Sequence, residues 1–550
     1  MTVTVKNEEF ETFITDLGED GAGIGRTDGF TWFIKDTVIG DRVLASATKV
    51  KKQYGYARLI RVLDPSPYRT DPVCPVTRAC GGCQIRQMDY AAQLAWKEKK
   101  VTDNLIRIGG FAGAPALTSP ILGMADPGRY RSKAVYPVRR DKNGRLIAGF
   151  YAARTHSVIP CGDCLIGAKE NADVLKTILQ HMEEYRIDPY DEVTHRGIVR
   201  HVLIRQGFHT GELMVCLVIN ADGIRGAERL TDRLREQFPH LRSLTLNINR
   251  DKGNVIMGRE LKNLYGPGYI EDTIRGIRFR ISPLSFFQVN PVQMEVLYGK
   301  ALEYADLKGR ETVWDLYCGV GSISLFLSMH AKQVYGVEII PDAVENAKEN
   351  ASLNQFGNLR FYTGRAEEVL PRWYEEFHIP ADVIVTDPPR KGCDPQCLET
   401  MLRMAPQRIV YVSCNPATLA RDLRILCDGG YELKKVQPVD MFPHTVHIET
   451  VVQLSKGNIS SQNVRVEFSL EDMDMSRFQQ GATYEQIQAW VQEKYGFHVT
   501  HLNIAKTKRK CGIIERENYN FPKSEDSQSP KTPKEKEEAI IDAFLHFKMM

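Results

Sequence analysis

The run RIVYVSCNPATLARDL sets Cys414 between a β-branched, aromatic stretch and the start of a helix-length segment. A side chain at the carboxyl end of a strand in an open sheet faces the crevice where ligands bind, and a helix N-terminus just beyond it favours a thiolate. Cys414 is therefore a candidate covalent nucleophile. The alternative is the buried small hydrophobe that most free cysteines are. Further along, DMFPHTVHIETVVQL offers Asp440, His444, His447 and Glu449 just before another strand, four groups able to take a proton. His444 and His447 read more readily as positioning and packing groups.

A second constellation lies upstream. VWDLYCGVGSISLFLS carries an apolar strand, Asp315, then Gly319 and Gly321 at a turn into a helix. Glycines there let the backbone turn sharply and approach a ligand. The next strand, QVYGVE, ends in Glu338, where a carboxylate can accept hydrogen bonds from ribose hydroxyls. Dinucleotides and adenosylmethionine both fit that pattern. ADVIVTDPPRKG then delivers Asp387 and two prolines at a strand end, which favours methyl transfer to a base.

A third group is thiol-rich. Cys74, Cys80 and Cys83 in CPVTRACGGC are closely spaced and flanked by Pro75, Gly81 and Gly82, and CGDC adds Cys161 and Cys164. Four thiolates suit a tetrahedral zinc or an iron-sulfur cluster, and spacing fits both. The other cysteines, apart from Cys414, read as mostly structural.

At 550 residues the chain exceeds what one core supports, so three or four domains are expected to position these groups. The opening MTVTVKNEEF lacks the cationic start and apolar run of a signal peptide. No stretch reaches the roughly 20 apolar residues that span a bilayer. A cytoplasmic protein with no membrane partner is the expectation. Twelve cysteines then speak for ligation or catalysis rather than a disulfide framework. A net charge of +3 leaves a nucleic-acid partner open.

Residues 1–64 show short strand-like runs (TVTV, FETFI, TWFIK, RVLASATKV, YARLIRVL) broken by Gly and Asp, as in a small closed barrel. The last two enclose Lys49, Lys51, Lys52, Tyr54, Tyr56, Arg58 and Arg61, cations and aromatics mixed as on a base-stacking RNA surface. An edge strand guarded by lysines would look the same. Residues 72–285 form a mixed α and β region, the least readable. Residues 286–456 alternate strand-like and helix-length segments, the sign of an open, mostly parallel sheet. The extension 457–550 carries a helix at TYEQIQAWVQEKYG, a basic turn at Lys506, Lys508, Arg509 and Lys510, a polar linker SEDSQSPKTPKEKEE and a short helix near AIIDAFLHF.

In order, C-x5-C-x2-C, SFFQVN, DLYCGVGS, GVE, DPPRKG, SCNP and HTVHIE resemble the motifs of the RNA uracil-5-methyltransferases, in particular the 23S ribosomal-RNA branch with an amino-terminal TRAM domain. The resemblance runs from Thr2 to about Lys456. It implies an α/β fold: a Rossmann-like, class I S-adenosylmethionine-dependent methyltransferase domain, an OB-like TRAM barrel and a central α+β iron-sulfur domain. Carried over motif by motif, Gln288, Tyr317, Glu338 and Asp387 are implied adenosylmethionine contacts, Cys414 the nucleophile and Glu449 the proton acceptor. Cys74, Cys80, Cys83 and Cys164 are the implied ligands of a four-iron, four-sulfur cluster, with Cys164 fitting the motif better than Cys161. That cluster is expected to support folding or RNA binding without redox turnover. The implied reaction is methylation of carbon 5 of a uridine in 23S rRNA, in a single-stranded or loop region, by a monomer. Cytosine methylation, which shares the covalent logic, is the nearest alternative.

Overall fold

Alternating side chains along EFETFITDL build the strand Glu9–Leu17, with Phe10, Ile14 and Leu17 turned inward. Gly23–Thr27, Phe30–Ile34, Arg42–Val50 and Tyr54–Asp64 complete a closed five-stranded barrel. The first strand pairs antiparallel with the second and the fourth, which closes the ring. Trp32, Ile34, Val43 and Ala45 fill the interior. Gly23–Thr27 is a strand the sequence does not announce. GIGRT lacks a β signature, yet a Cβ on Gly23 would stand 2.0 Å from the Thr37 hydroxyl, so this position excludes a side chain. The TVTV run falls outside the described residues, which are 6–457, 484–511 and 533–547 of this computed structural model.

A mixed seven-stranded sheet follows, in the order Glu260–Tyr265, Leu241–Ile248, Leu213–Ile219, Val199–Gln206, Lys133–Arg140, Leu146–Tyr151, Val158–Pro160. Helices Asn171–Glu184 and Ala227–Gln237 bury their apolar stripes against it.

The third sheet has the order Leu359–Thr363, Gln333–Glu338, Thr312–Leu316, Val383–Thr386, Arg408–Ser413, Glu449–Lys456, Tyr431–Val439. The first five are parallel, and Glu449–Lys456 runs antiparallel between its two neighbours. These central strands are buried on both faces, which is why they read as continuous apolar runs. Strand order reverses at Thr312–Leu316, which opens a crevice beyond the carboxyl ends. The open, mostly parallel sheet expected from the sequence is thus present.

Helix Tyr90–Arg107 begins at Asp89, whose carboxylate accepts from the Ala92 amide at 2.9 Å. Its Val101 and Leu105 share a core with Trp314, Leu419 and Leu423 of the third sheet's layers.

The contacts divide the chain into two units, Met1–Ile459 and Ser460–Met550. The second holds helices Tyr484–Tyr495, His501–Lys510 and Lys534–His546 around Ile487, Val491, Ile504, Ile540 and Phe544. Two expectations are corrected here. The basic segment from Lys506 to Lys510 is part of a helix, not a turn: Thr500 and Asn503 cap it reciprocally, each side-chain oxygen accepting from the other's amide at 3.1–3.2 Å. The KEKEE end of the polar stretch forms the first turns of Lys534–His546, its acids at the helix N-terminus; the preceding SEDSQSPKT lies outside the described residues. Among those residues no helix is long and apolar enough to cross a membrane.

Candidate active site

Three loops meet at the carboxyl ends of the parallel strands. After Thr312–Leu316 the chain turns through Tyr317 and Gly319, with φ of 64° and 56°. A tyrosine held there stores strain of about 1 kcal/mol or more. A Cβ on Gly319 would meet nothing within 4 Å, so the turn borders open space. Glu338 accepts from the Gly319 amide through Oε2 at 3.1 Å and from the Ile340 amide through Oε1 at 2.9 Å. Both oxygens are thereby fixed at the rim with lone pairs to spare. Beneath the turn, Asp315 accepts from the Ser324 hydroxyl at 2.5 Å, and burial lifts its carboxyl to about 7.

Asp387 follows Val383–Thr386 and donates its amide to the Leu316 carbonyl at 3.3 Å. Asp387 is half-buried as a residue, and burial raises its carboxyl to about 7. The DPPRKG loop is bolted to helix Pro416–Asp428: the Arg390 carbonyl accepts from Asn415 Nδ2 and the Thr418 hydroxyl, both at 3.2 Å, and Arg421 donates to the Lys391 carbonyl at 2.9 Å. Asn415 also caps that helix, accepting from the Ala417 amide at 3.0 Å.

On this rim Cys414 is half-buried. Burial first, then the carboxylates of Glu449 and Asp387, push its thiol to about 11, while the Arg390 guanidinium pulls the other way. Glu449 is 5% exposed at the start of the antiparallel strand. Burial and Asp387 carry its carboxyl well above the usual range, again opposed by Arg390. Cys414, Glu449, Asp387 and Arg390 thus sit in one another's field.

Gln288 is buried two residues before Asn290, which caps helix Pro291–Ala305 and donates to the Met441 carbonyl at 2.9 Å. That ties the SFFQVN segment to the loop before Glu449. In this loop His444 and His447 are both pushed down to about 4, chiefly by burial.

Cys74, Cys80, Cys83, Cys161 and Cys164 line one cavity of about 630 Å³ together with Arg86, Arg131 and Lys133. Arg390, Phe286 and His447 border it too, and no described Asp or Glu does. A hydrogen bond from the Cys161 thiol, with the Ile166 and Gly167 amides and Arg131, brings Cys164 down to about 6. Burial takes Cys83 up to about 11. Among the described residues no group of three or more His, Cys, Asp or Glu is arranged to hold a metal ion. All twelve cysteines are unpaired.

With this geometry in hand, likeness to known proteins is decisive. The tRNA (Uracil-5-)-methyltransferase family matches residues 212–457, and the TRAM domain matches residues 4–60. An uncharacterized RNA methyltransferase of Halalkalibacterium halodurans is 50% identical over 453 residues, covering 82% of this chain and 98% of that one. The chain belongs to the RNA (uracil-5-)-methyltransferase family. An uncharacterized RNA methyltransferase of Clostridium tetani is 45% identical, covering 82% of this chain and 97% of that one. The crystal structure of Pyrococcus abyssi tRNA (uracil-54, C5)-methyltransferase in complex with S-adenosyl-L-homocysteine superposes with a TM-score of 0.65 at 25% identity, covering 81% of this chain and 100% of that one. The fold is that of an S-adenosylmethionine-dependent methyltransferase with an N-terminal TRAM barrel.

Several groups in this RNA uracil-5-methyltransferase escape sequence reasoning. Arg390 stands inside DPPRKG, but nothing in the motif says that its charge acts on Cys414 and Glu449. Tyr298 lies on helix Pro291–Ala305 with its hydroxyl in the field of Asp387, Asp315 and Glu449. Phe286 is 71% exposed, an aromatic ring left in solvent beside a buried glutamine. Lys97 had a legible signal: Gln93, Lys97, Val101 and Leu105 recur every four residues, which sets a lysine on a core-facing stripe.

Proposed function

We propose that this chain methylates carbon 5 of a uridine in 23S rRNA, with Cys414 as nucleophile and Glu449 as proton acceptor. The observation that carries the reading is that Cys414, Asp387, Glu449 and Arg390 act on one another's charge, at the strand ends that also carry the glycine turn braced by Glu338. S-adenosylmethionine supplies the methyl group. The open space at Gly319 and the fixed Glu338 carboxylate suit its adenosine half, with Tyr317, Gln288 and Asp387 as further contacts.

Carbon 5 of uracil is a poor nucleophile. Addition of the Cys414 thiolate to carbon 6 makes the ring an enolate, with charge on O4 and carbon 5 activated. Once carbon 5 is methylated, Glu449 takes its proton, the 5,6 double bond re-forms and the thiolate leaves. A raised carboxyl suits a group that must hold that proton. The base has to leave its stack to reach the crevice, so a loop or single strand is the substrate. Phe286 offers a face for a neighbouring base, and Tyr54, Tyr56, Lys49 and Arg58 on the barrel's outer face offer further stacking and phosphate contacts.

The thiols of Cys74, Cys80, Cys83 and Cys164 fit a four-iron, four-sulfur cluster. Such a cube spreads its ligands more widely than a single ion does, and the cationic wall of Arg86, Arg131 and Lys133 offsets its negative charge. Its contribution is to hold the 74–83 and 161–164 loops together. A cytoplasmic monomer is the setting this reading calls for.

The test is incubation of purified protein with labelled S-adenosylmethionine and unmodified ribosomal and transfer RNA transcripts, followed by nucleoside analysis. 5-Methyluridine in ribosomal RNA alone is the expected result. The tRNA activity of the Pyrococcus abyssi enzyme makes transfer RNA the competing substrate; label there alone would transfer the proposal to tRNA, and 5-methylcytidine would end it.

A further inference from the structure

The loop 440–448 delivers Glu449 to the crevice, and its course is set by a helix from the other end of the chain. Asp440 is fully buried and follows Val439, which pairs with Glu449 across the sheet. Lys97 Nζ donates to its Oδ1 at 2.5 Å, and the Tyr90 hydroxyl donates to its Oδ2 at 2.9 Å. Lys97 is also fully buried, and its ammonium donates a second bond to the Phe442 carbonyl at 3.1 Å. On the same helix face, Gln93 Oε1 accepts from the His444 amide at 3.0 Å while its Nε2 lies 3.2 Å from the imidazole Nδ1. Tyr90, Gln93 and Lys97 therefore form one polar stripe at helical spacing, pressed onto the loop that leads to Glu449.

Two charges taken out of water are a costly way to fasten a helix to a sheet; apolar side chains of similar volume do that as well or better. What the pair supplies is direction. Both oxygens of Asp440 are engaged by donors from one rigid helix, so the carboxylate cannot rotate, and the loop leaves Val439 along a single path. We propose that Lys97, with Tyr90, is a positioning residue for Glu449, holding its carboxylate over the crevice through Asp440. The proposal rests on Glu449 being the proton acceptor. Helix Tyr90–Arg107 lies outside both family-matched segments. The step it serves is elimination: the proton on carbon 5 passes to the Glu449 carboxylate, its bonding pair re-forms the 5,6 double bond, the bond from Cys414 to carbon 6 breaks and its electron pair returns to sulfur.

The full-length double variant Lys97→Met/Asp440→Asn leaves neither charge uncompensated. With it, Tyr90→Phe removes the hydroxyl that donates to Asp440 and accepts from the Met124 amide, and Glu449→Gln removes the base. Each is incubated with labelled S-adenosylmethionine and the transcript that the unmodified enzyme methylates, and turnover and the denaturation-resistant protein–RNA adduct are followed. A group displaced by about 1 Å loses roughly 100-fold in rate. The double variant is therefore expected to turn over roughly 100-fold more slowly with KM little changed, and to accumulate methylated covalent adduct as Glu449→Gln does. Tyr90→Phe should change both in the same direction, by roughly a few-fold. A folded double variant that turns over slowly without accumulating adduct, while Glu449→Gln does accumulate it, would mean that the pair only stabilises the fold. If the double variant fails to fold, an unchanged elimination rate in Tyr90→Phe overturns the proposal. No adduct in Glu449→Gln would instead remove Glu449 as the base, and the positioning role with it.

Discussion

Among single residues, the charge on Cys414 governs what the enzyme can do. A free thiol near 9 would already be mostly protonated at neutral pH, and here burial with two neighbouring carboxylates holds it near 11. The thiolate is the nucleophile, so its fraction grows about tenfold per pH unit below that value. Glu449 must be ionised to take the proton, and its raised carboxyl works in the same direction. Methylation kcat/KM is therefore expected to climb from pH 6.5 to pH 9, and an optimum on the acid side would contradict the thiolate reading. The Arg390 guanidinium lowers both Cys414 and Glu449. Arg390→Met should shift the alkaline rise to higher pH and lower the rate at pH 7.5 by roughly a few-fold, because the guanidinium is exposed and its charge is screened by solvent. A pH–rate profile of the variant beside the parent checks both.

At the scale of the element, the two glycines of the cofactor turn make separable demands. Gly319 has φ 56° and open space where a Cβ would stand, whereas at Gly321, φ 79°, a Cβ would come within 3.0–3.1 Å of Ala347, Leu325 and Phe361. Gly319→Ala is expected to cost about 1 kcal/mol of stability from backbone strain alone, while placing a methyl group in the space assigned to the cofactor. S-adenosylhomocysteine affinity should then fall by roughly tenfold or more. Gly321→Ala adds overpacking to strain and should cost roughly 2–4 kcal/mol. Thermal unfolding and titration calorimetry separate the two, and a Gly319→Ala variant that binds normally would place the cofactor elsewhere. The strand runs of the catalytic sheet were legible because a parallel strand buried on both faces is written as an unbroken apolar stretch. Gly23–Thr27 was not, because glycines chosen for close approach erase the β signature, and the cations from Lys506 to Lys510 read as a turn because the reciprocal cap of Thr500 and Asn503 lies upstream of them.

For the molecule as a whole, the chain divides into two units, and among the described residues the core of Ile487, Val491, Ile540 and Phe544 is built from the second unit's helices. Ending the chain at Gly457 is therefore expected to leave the main unit's stability within about 1 kcal/mol, since no core residue is removed from it. Adenosylhomocysteine binding should also be kept. Calorimetry of the truncated protein tests this, and loss of the main unfolding transition would show that the units depend on each other.

The sequence by itself determined the chemical inventory. Cys414 before Asn415 and Pro416, Asp387 before two prolines, the glycine turn and Glu338 are local patterns, and neighbours along a chain stay neighbours in the fold. Only the tertiary structure decided what those groups face. It set both Cys161 and Cys164 on the cavity of Cys74, Cys80 and Cys83, brought the Arg390 charge within reach of the nucleophile, and brought Lys97 to Asp440 across 343 positions of sequence. Charge states and orientations arise from burial and from contacts between distant segments, and no spacing along the chain encodes either.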